Sequence, residues 1–155
     1  MSDVTGTPRF PPGVEAVLRG AGWYPGRRTD IGPWQRSLRG FRLHGAAEEF
    51  LREFGGLKVR ICGPGITCAR QPFDTDPDLL SDEEELFTYL SDRYRRAFCP
   101  AGEYANGEMY LAIDSEGVMY LVMTWVLRLG PVDTALEHLV TGVAGYELDP
   151  PDDTT

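Results

Sequence analysis

Apolar residues recur at a helical spacing in four stretches of the chain, and each stretch predicts a helix with one buried face. The first follows Pro11-Pro12-Gly13 and ends at Gly20 to Gly22; the second ends at Gly55-Gly56, where we expect a left-handed C-terminal cap. In the third, Ser81 and Glu84 have the spacing of a capping box, and the last ends at Gly142. The predicted inner faces are Val14, Val17, Leu18 and Ala21; Ala47, Phe50, Leu51 and Phe54; Phe87, Leu90, Tyr94 and Ala97; and Leu136, Leu139 and Val140.

Strand-like segments lie between these helices. Residues 57–61 alternate in polarity, residues 62–65 predict a turn, and residues 66–73 predict the returning strand of a hairpin. A second hairpin is predicted from residues 108–114 and 118–129. Its last strand is continuously apolar, which is typical of a central strand covered on both faces. Residues 30–41 predict a loop or a short extended stretch, and residues 99–108 are rich in turn-forming residues.

The order of these segments is helix, helix, strand, strand, helix, strand, strand, helix. Hairpins rather than crossovers join the strands, so we expect an α+β domain whose antiparallel sheet has about four to six strands, with helices packed on it. The chain has 155 residues, a length that fits one domain. We predict a flexible N-terminus over residues 1–10, the domain over residues 11–146, and a disordered acidic tail over residues 147–155.

The composition is that of an ordinary soluble globular protein, with 42% hydrophobic and 25% charged residues. The sequence shows no signal peptide and no apolar run of membrane-spanning length, so we expect no membrane partner. The three cysteines lack a CxxC spacing, and reduced thiols in a cytoplasm are the simplest interpretation.

The net charge of −9 is unevenly distributed. Residues 1–60 contain ten Lys or Arg and six Asp or Glu, which gives +4; residues 61–155 contain five and eighteen, which gives −13. An acidic surface repels nucleic-acid phosphates and suits a cationic protein partner. The alternative is a solvated face that only maintains solubility.

The segment GWYPGRR, residues 22–28, combines two aromatic rings, a turn and two arginines. It has none of the glycine-rich signatures of a phosphate-binding loop, so we interpret it as a structural corner. Trp23 and Tyr24 are expected to fill the gap between the first helix and the sheet, and Pro25-Gly26 to form a type II turn. The arginines Arg27 and Arg28 are expected to stack on the rings or to pair with carboxylates.

The acidic run DTDPDLLSDEEE, residues 74–85, has carboxylates at positions 1, 3, 5, 9 and 12 of an EF-hand calcium loop. Leu79 stands where that loop needs glycine, Pro77 is rigid, and a predicted strand precedes the run. An acidic linker that favours a helix N-terminus is the preferred interpretation, and calcium binding is the alternative.

Catalytic chemistry has no visible signature. His44 and His138 have no cysteine or second histidine at a ligand spacing, and Cys99 has no recognisable nucleophile context. No serine lies in a GxSxG elbow, and no pair of carboxylates stands out as an acid and base. We therefore predict no catalytic residue, no metal ligand and no cofactor.

Taken together, five motifs resemble the SUKH-3 group of the SUKH superfamily, the Smi1/Knr4-related proteins. They occur in order from residue 14 to about residue 142, so the resemblance covers nearly the whole chain. The matching pieces are Trp23-Tyr24-Pro25-Gly26-Arg27, Phe50-Leu51-x-x-Phe54-Gly55-Gly56-Leu57, Pro100-x-Gly102-Glu103, Leu111-Ala112-Ile113-Asp114-x-x-Gly117-x-x-Tyr120, and Ala135-Leu136-x-x-Leu139-x-x-Gly142.

The resemblance implies an α+β fold and a non-enzymatic immunity protein of a bacterial polymorphic toxin system, acting in the cytoplasm. The implied partner is a cognate protein toxin, often a nuclease or nucleic-acid deaminase with a basic active-site region, which an acidic inhibitor would approach quickly. A regulatory or scaffold adaptor without a toxin partner, and a small enzyme with an unseen site, are the alternatives. The expected contact residues are Asp74, Asp76, Asp78, Asp82, Glu83, Glu84 and Glu85.

Overall fold

The computed structural model describes residues 9–41 and 43–152. Helices form where the apolar spacing predicts them, at α1 (Pro12–Gly20), α3 (Gly45–Phe54), α4 (Glu84–Tyr94) and α5 (Val132–Thr141), and a further helix α2 spans Gly32–Ser37. A 3-10 helix spans Pro77–Leu80. The strands are β1 (Lys58–Val59), β2 (Phe73–Asp74), β3 (Cys99–Tyr104), β4 (Met109–Ile113), β5 (Val118–Val122), β6 (Val126–Pro131) and β7 (Tyr146–Leu148).

The seven strands form one antiparallel sheet whose spatial order is the same as the order along the chain. This confirms the α+β prediction, and the sheet has more strands than expected because β1, β2 and β7 contain only two or three residues each. One row of directly paired residues crosses all seven strands: Lys58, Asp74, Glu103, Tyr110, Val122, Val126 and Leu148.

Helices cover both faces of the sheet and divide the buried residues into two cores. On the first face, α1, α3 and α5 pack on inward side chains such as Val59, Phe73 and Leu121. On the second face, α4 packs on Tyr120, Val122 and Val126. Because β5 contributes buried residues to both cores, it is a central strand covered on both faces, as its apolar sequence predicted.

The GWYPGRR corner holds α1 against the end of α3. The indole of Trp23 is buried and stacks on Phe54 with 5.9 Å between ring centroids, and its Nε1–H donates to the Glu53 carboxylate at 3.0 Å. Arg27 donates to the carbonyl oxygen of Glu53 at 2.7 Å, so it satisfies one acceptor at the C-terminus of α3. Tyr24 is 53% exposed and takes no part in filling the gap, contrary to the prediction.

A tight turn at Pro25-Gly26 directs the chain into this corner. The amide of Arg27 donates to the carbonyl of Tyr24 at 3.1 Å, and Gly26 has a φ of +83°, which is the left-handed conformation predicted for the third residue of a type II turn. At the end of α3, Gly55 is extended and Gly56 has the positive φ, so the left-handed cap predicted at Gly55-Gly56 is formed by the second glycine.

The motif from Leu111 to Tyr120 forms one hydrogen-bonded unit around the buried Asp114 carboxylate. Its Oδ1 accepts from the amides of Glu116 and Val118, which closes the β4–β5 turn, and its Oδ2 accepts from the Tyr120 hydroxyl. Burial, together with this hydrogen bond, raises the pKa of Tyr120 well above its ordinary value. Gly117 lies in the turn with a positive φ.

Three predicted segments differ in the structure. Residues 118–129 lie in two strands, β5 and β6, joined through a turn in which the Met123 amide donates to the Trp125 carbonyl. The turn residues Met123-Thr124-Trp125 include no glycine, proline, asparagine or aspartate, so no turn signal marks it in the sequence. The turn-rich residues 99–108 contain β3, whose register shifts at a bulge between Pro100 and Gly102. Only Phe73 and Asp74 of the predicted strand 66–73 pair in the sheet, because the amides of residues 66–68 donate to the C-terminus of α5 instead.

Smaller corrections concern the helices and the chain ends. Residues 32–37 form α2 rather than a loop. Helix α4 begins after Glu83 without the predicted Ser81 side-chain cap, and Ala97 lies beyond the helix and is exposed.

At the N-terminus, Phe10 is 1% exposed, and Arg9 pairs with Glu53 and Asp133, so these two residues belong to the folded unit. At the other end, Glu147 and Leu148 pair with β6. Residues 1–8 and 153–155 lie outside the described residues.

Candidate partner-binding surface

The first part of the acidic run lies on the second face of the sheet, beside strands that α4 does not cover. Asp74 is directly opposite Glu103 in the β2–β3 ladder, and Glu103 is directly opposite Tyr110 in the β3–β4 ladder. Carboxylates that face each other across a ladder repel, so this pairing works against the fold.

Asp76 and Glu83 interact with the same row of residues, Asp74, Glu103 and Tyr110. Burial and the nearby charges of Asp74 and Asp76 raise the pKa of Glu103 above its ordinary value. Tyr110 donates its hydroxyl to Glu83 at 3.0 Å, and burial and this bond raise the pKa of Tyr110. We use the term acidic surface for Asp74, Asp76, Glu83 and Glu103.

Few cations offset these four carboxylates. Arg60 donates to both oxygens of Asp74, at 2.5 Å and 3.2 Å, and this contact raises the pKa of Arg60. Lys58 is opposite Asp74 in the β1–β2 ladder and is exposed. Even with both cations counted, the acidic surface retains a net negative charge.

The other predicted contact residues point elsewhere. Asp78 accepts from the Ser37 hydroxyl at 2.5 Å, so it connects the 3-10 helix to α2. The Glu84 carboxylate lies against Gly40, where a Cβ atom would overlap it. Asp82 and Glu85 are exposed at the start of α4. The structure therefore splits the predicted region into a compact group on the sheet and a flanking group around the N-terminus of α4.

Glu103 belongs to this surface, although it was not among the predicted contact residues. Residues 99–108 were predicted to form a turn, so Glu103 had no predicted position opposite Asp74. Its side chain becomes relevant only once β3 is known to pair with β2. Residues 99–104, CPAGEY, show no alternation of apolar and polar residues, so no local signal in the sequence marked this strand.

The calcium-loop alternative requires the acidic side chains to converge, and in the structure they diverge. The Asp76 carboxylate accepts from the Asp78 amide at 3.0 Å and caps the 3-10 helix, while Asp74 binds Arg60. Within residues 9–41 and 43–152, no three or more His, Cys, Asp or Glu side chains are placed to hold one metal ion.

The residues considered for catalysis have structural roles where their contacts are defined. His44 caps α3: its Nδ1 accepts from the Ala47 amide at 3.1 Å, and its Nε2–H donates to the Ala97 carbonyl at 2.9 Å. Because Nδ1 accepts, the ring proton that reaches the Ala97 carbonyl is on Nε2. Burial raises the pKa of Cys99 to about 11, so its thiol is protonated at neutral pH. A cavity of about 200 Å³ beside α5 is lined by His138, Cys68 and apolar residues, without a carboxylate.

None of the described helices has the length and apolar character needed to cross a membrane. No curated protein and no solved structure matches the chain significantly. The family model described as SUKH-3 immunity protein matches residues 10–142, which include the corner, all but the last strand and the acidic surface. The chain therefore belongs to the SUKH-3 immunity protein family.

Proposed function

We propose that this protein is a non-catalytic immunity protein that neutralises a cognate toxin in the cytoplasm by binding it, with the acidic surface as the first contact. Family membership supports the immunity role. The toxin is expected to be basic and to act on nucleic acid, because a nuclease or deaminase needs positive charge where it holds phosphates.

The observation that carries the proposal is the pairing of Asp74 with Glu103. Two carboxylates that are directly opposite in a ladder destabilise a sheet by roughly 0.2 to 1 kcal/mol, and the nearby charges of Asp74 and Asp76 contribute to the raised pKa of Glu103. A cationic partner would remove the repulsion on binding. The flanking carboxylates Asp82 and Glu85 would accelerate the encounter without forming close contacts.

The test uses the protein encoded beside this gene as the candidate toxin. Co-expression should rescue growth, and purified protein should inhibit the toxin stoichiometrically, so that half an equivalent leaves about half of the toxin activity. Catalytic inactivation would require far less than one equivalent. If wild-type protein neither binds the toxin nor rescues growth, the proposal is wrong and a regulatory adaptor becomes the better interpretation.

The Glu103→Lys variant gives a sharper signature. Replacing one of two facing carboxylates with a cation should stabilise the fold and, at the same time, slow association with the toxin by about tenfold at low salt. Glu49→Lys has the same change in charge on the exposed side of α3 and is the matched control. Equal association rates for the two variants would contradict a role for the acidic surface.

A further inference from the structure

A second row of paired residues crosses the same sheet face near its other edge. Tyr120, Arg128 and Tyr146 are direct neighbours on β5, β6 and β7. Tyr120 is fully buried beneath Phe98, with 5.0 Å between ring centroids, and Arg96 lies 5.9 Å from the Tyr120 ring. Beyond this cover, Arg128 lies on β6 and Tyr146 lies on the edge strand β7. We use the term arginine–tyrosine surface for Arg96, Arg128 and Tyr146.

Arg128 is the unusual member of this surface. Its guanidinium stacks on the Tyr146 ring, 6.0 Å from the centroid, and makes no ion pair with any described residue. The residue is half-buried in a chain that carries 24 acidic residues. A partly desolvated arginine normally has a carboxylate partner. Because Arg128 makes no ion pair with a described residue, its guanidinium donors are available to an acceptor from another molecule.

The composition of this surface is that of a protein contact. Tyr146 is 60% exposed on the edge strand β7, and Arg96 is 39% exposed while it contacts Asp114 at 3.5 Å. Tyrosine and arginine are enriched among the residues that contribute most to protein–protein binding energy. The net charge of −9 opposes a nucleic-acid ligand, so the fitting anion is a carboxylate of a polypeptide.

The two surfaces are close enough to be covered by one partner. Four strand spacings separate β2 from β6, which places Asp74 and Arg128 roughly 20 Å apart on one face. An interface of ordinary size is roughly 30 Å across. We infer that the arginine–tyrosine surface binds a carboxylate-bearing segment of the same toxin whose cations meet the acidic surface.

This inference rests on the proposed function and adds a requirement for the partner. The toxin must present positive charge at one end of its contact region and an acidic segment at the other. On this protein, α4 lies between the acidic surface and the arginine–tyrosine surface. Rotating such a partner by half a turn would place like charges together at both ends. The arrangement therefore selects one docking orientation, and it discriminates against basic proteins that lack the acidic segment.

The experiment measures binding of the purified toxin to the full chain by surface-immobilised kinetics. Arg128→Glu should weaken binding by about tenfold or more, mainly through faster dissociation, and Tyr146→Ser by about fivefold. Arg28→Glu is the matched control, because Arg28 is exposed at the corner and makes no described ion pair. The control should change affinity less than about twofold.

Each outcome separates the inference from the proposed function. If the toxin binds the wild type but Arg128→Glu and Tyr146→Ser match Arg28→Glu, the inference is overturned and the immunity role stands. If the wild type does not bind the toxin, the proposed function fails and the inference fails with it. Should Arg128→Glu not fold, as circular dichroism would show, the exposed Tyr146→Ser substitution decides the result.

Discussion

The Tyr120 hydroxyl donates to the Asp114 Oδ2 atom at 2.6 Å, and both side chains are buried. Tyr120→Phe removes the donor and leaves that carboxylate oxygen with the more distant Arg96 at 3.5 Å. We expect a loss of about 1–3 kcal/mol in the free energy of unfolding, because a buried charged acceptor loses a partner. Urea denaturation monitored by fluorescence measures it, and Tyr89→Phe, at an exposed position of α4, is the control. Equal midpoints for the two variants would contradict the prediction.

Thr75 joins the end of α3 to the start of β1. Its hydroxyl donates to the Phe54 carbonyl at 2.5 Å and accepts from the Leu57 amide at 2.8 Å, and the residue is fully buried. Thr75→Val should therefore destabilise the fold by about 1–3 kcal/mol, since two buried backbone groups lose a partner. Thr88→Val, on the exposed side of α4, should change the unfolding free energy by less than about 0.5 kcal/mol.

Gly102 allows β2 to approach the bulge in β3. A Cβ atom at this position would lie 1.8 Å from the Asp74 carbonyl oxygen, and the φ of +154° also disfavours a side chain. Gly102→Ala should therefore separate β2 from β3 and increase hydrogen exchange at residues 73–75. The comparison is Gly13→Ala in α1, where no atom lies within 4 Å and alanine favours the helix. Loss of stability in both variants would point to a cause other than the close approach.

The raised pKa of Glu103 makes the stability of the free protein depend on pH. The folded state holds the proton more tightly than the unfolded state, so the free energy of unfolding falls as pH rises from the ordinary glutamate pKa through the raised one. Glu103→Gln should remove this dependence and stabilise the protein at neutral pH by less than about 1 kcal/mol. Below the ordinary glutamate pKa, the difference between variant and wild type should disappear. A variant that is less stable than the wild type at pH 7 would show that Glu103 is a structural residue.

Ionic strength tests whether the acidic surface acts at long range. The association rate with the toxin should fall steeply between low and physiological salt, while dissociation changes little. The double variant Asp82→Asn, Glu85→Asn should flatten that dependence, because both side chains are exposed. Since Glu85 lies in the first turn of α4, loss of its charge should also lower the free energy of unfolding by about 0.3–1 kcal/mol. A salt dependence equal to that of the wild type would restrict the proposed role to the carboxylates on the sheet.

The sequence predicted the helices α1, α3, α4 and α5 because their apolar residues recur at a clear helical spacing. The corner is a second example: Pro25 and Gly26 specify the turn without reference to the rest of the chain. The missed elements depend on tertiary contacts. The turn between β5 and β6 contains no glycine or proline, and the proline and glycine in β3 occupy a bulge. The spacing of apolar residues predicts neither the turn between β5 and β6 nor the register shift in β3.

The candidate surface was predicted less completely for a related reason. A run of consecutive acidic residues was visible, but the pairing of Asp74 with Glu103 joins positions 29 residues apart and requires the β2–β3 register. Prediction of the arginine–tyrosine surface would have required the β5–β6 and β6–β7 registers, which place Tyr120, Arg128 and Tyr146 side by side. Local charge is readable from sequence, whereas the juxtaposition of charges across strands is a property of the folded sheet.

The strand order has a consequence for how the protein is made. Because each strand pairs only with the strands before and after it in the chain, the sheet can grow outward from β1 as the polypeptide leaves the ribosome. No strand pairs with a strand that is distant in the sequence order, so no gap in the sheet has to be filled later. β7 is synthesised after the other six described strands, so Asp74 and Glu103 can pair before Tyr146 is available to stack on the Arg128 guanidinium.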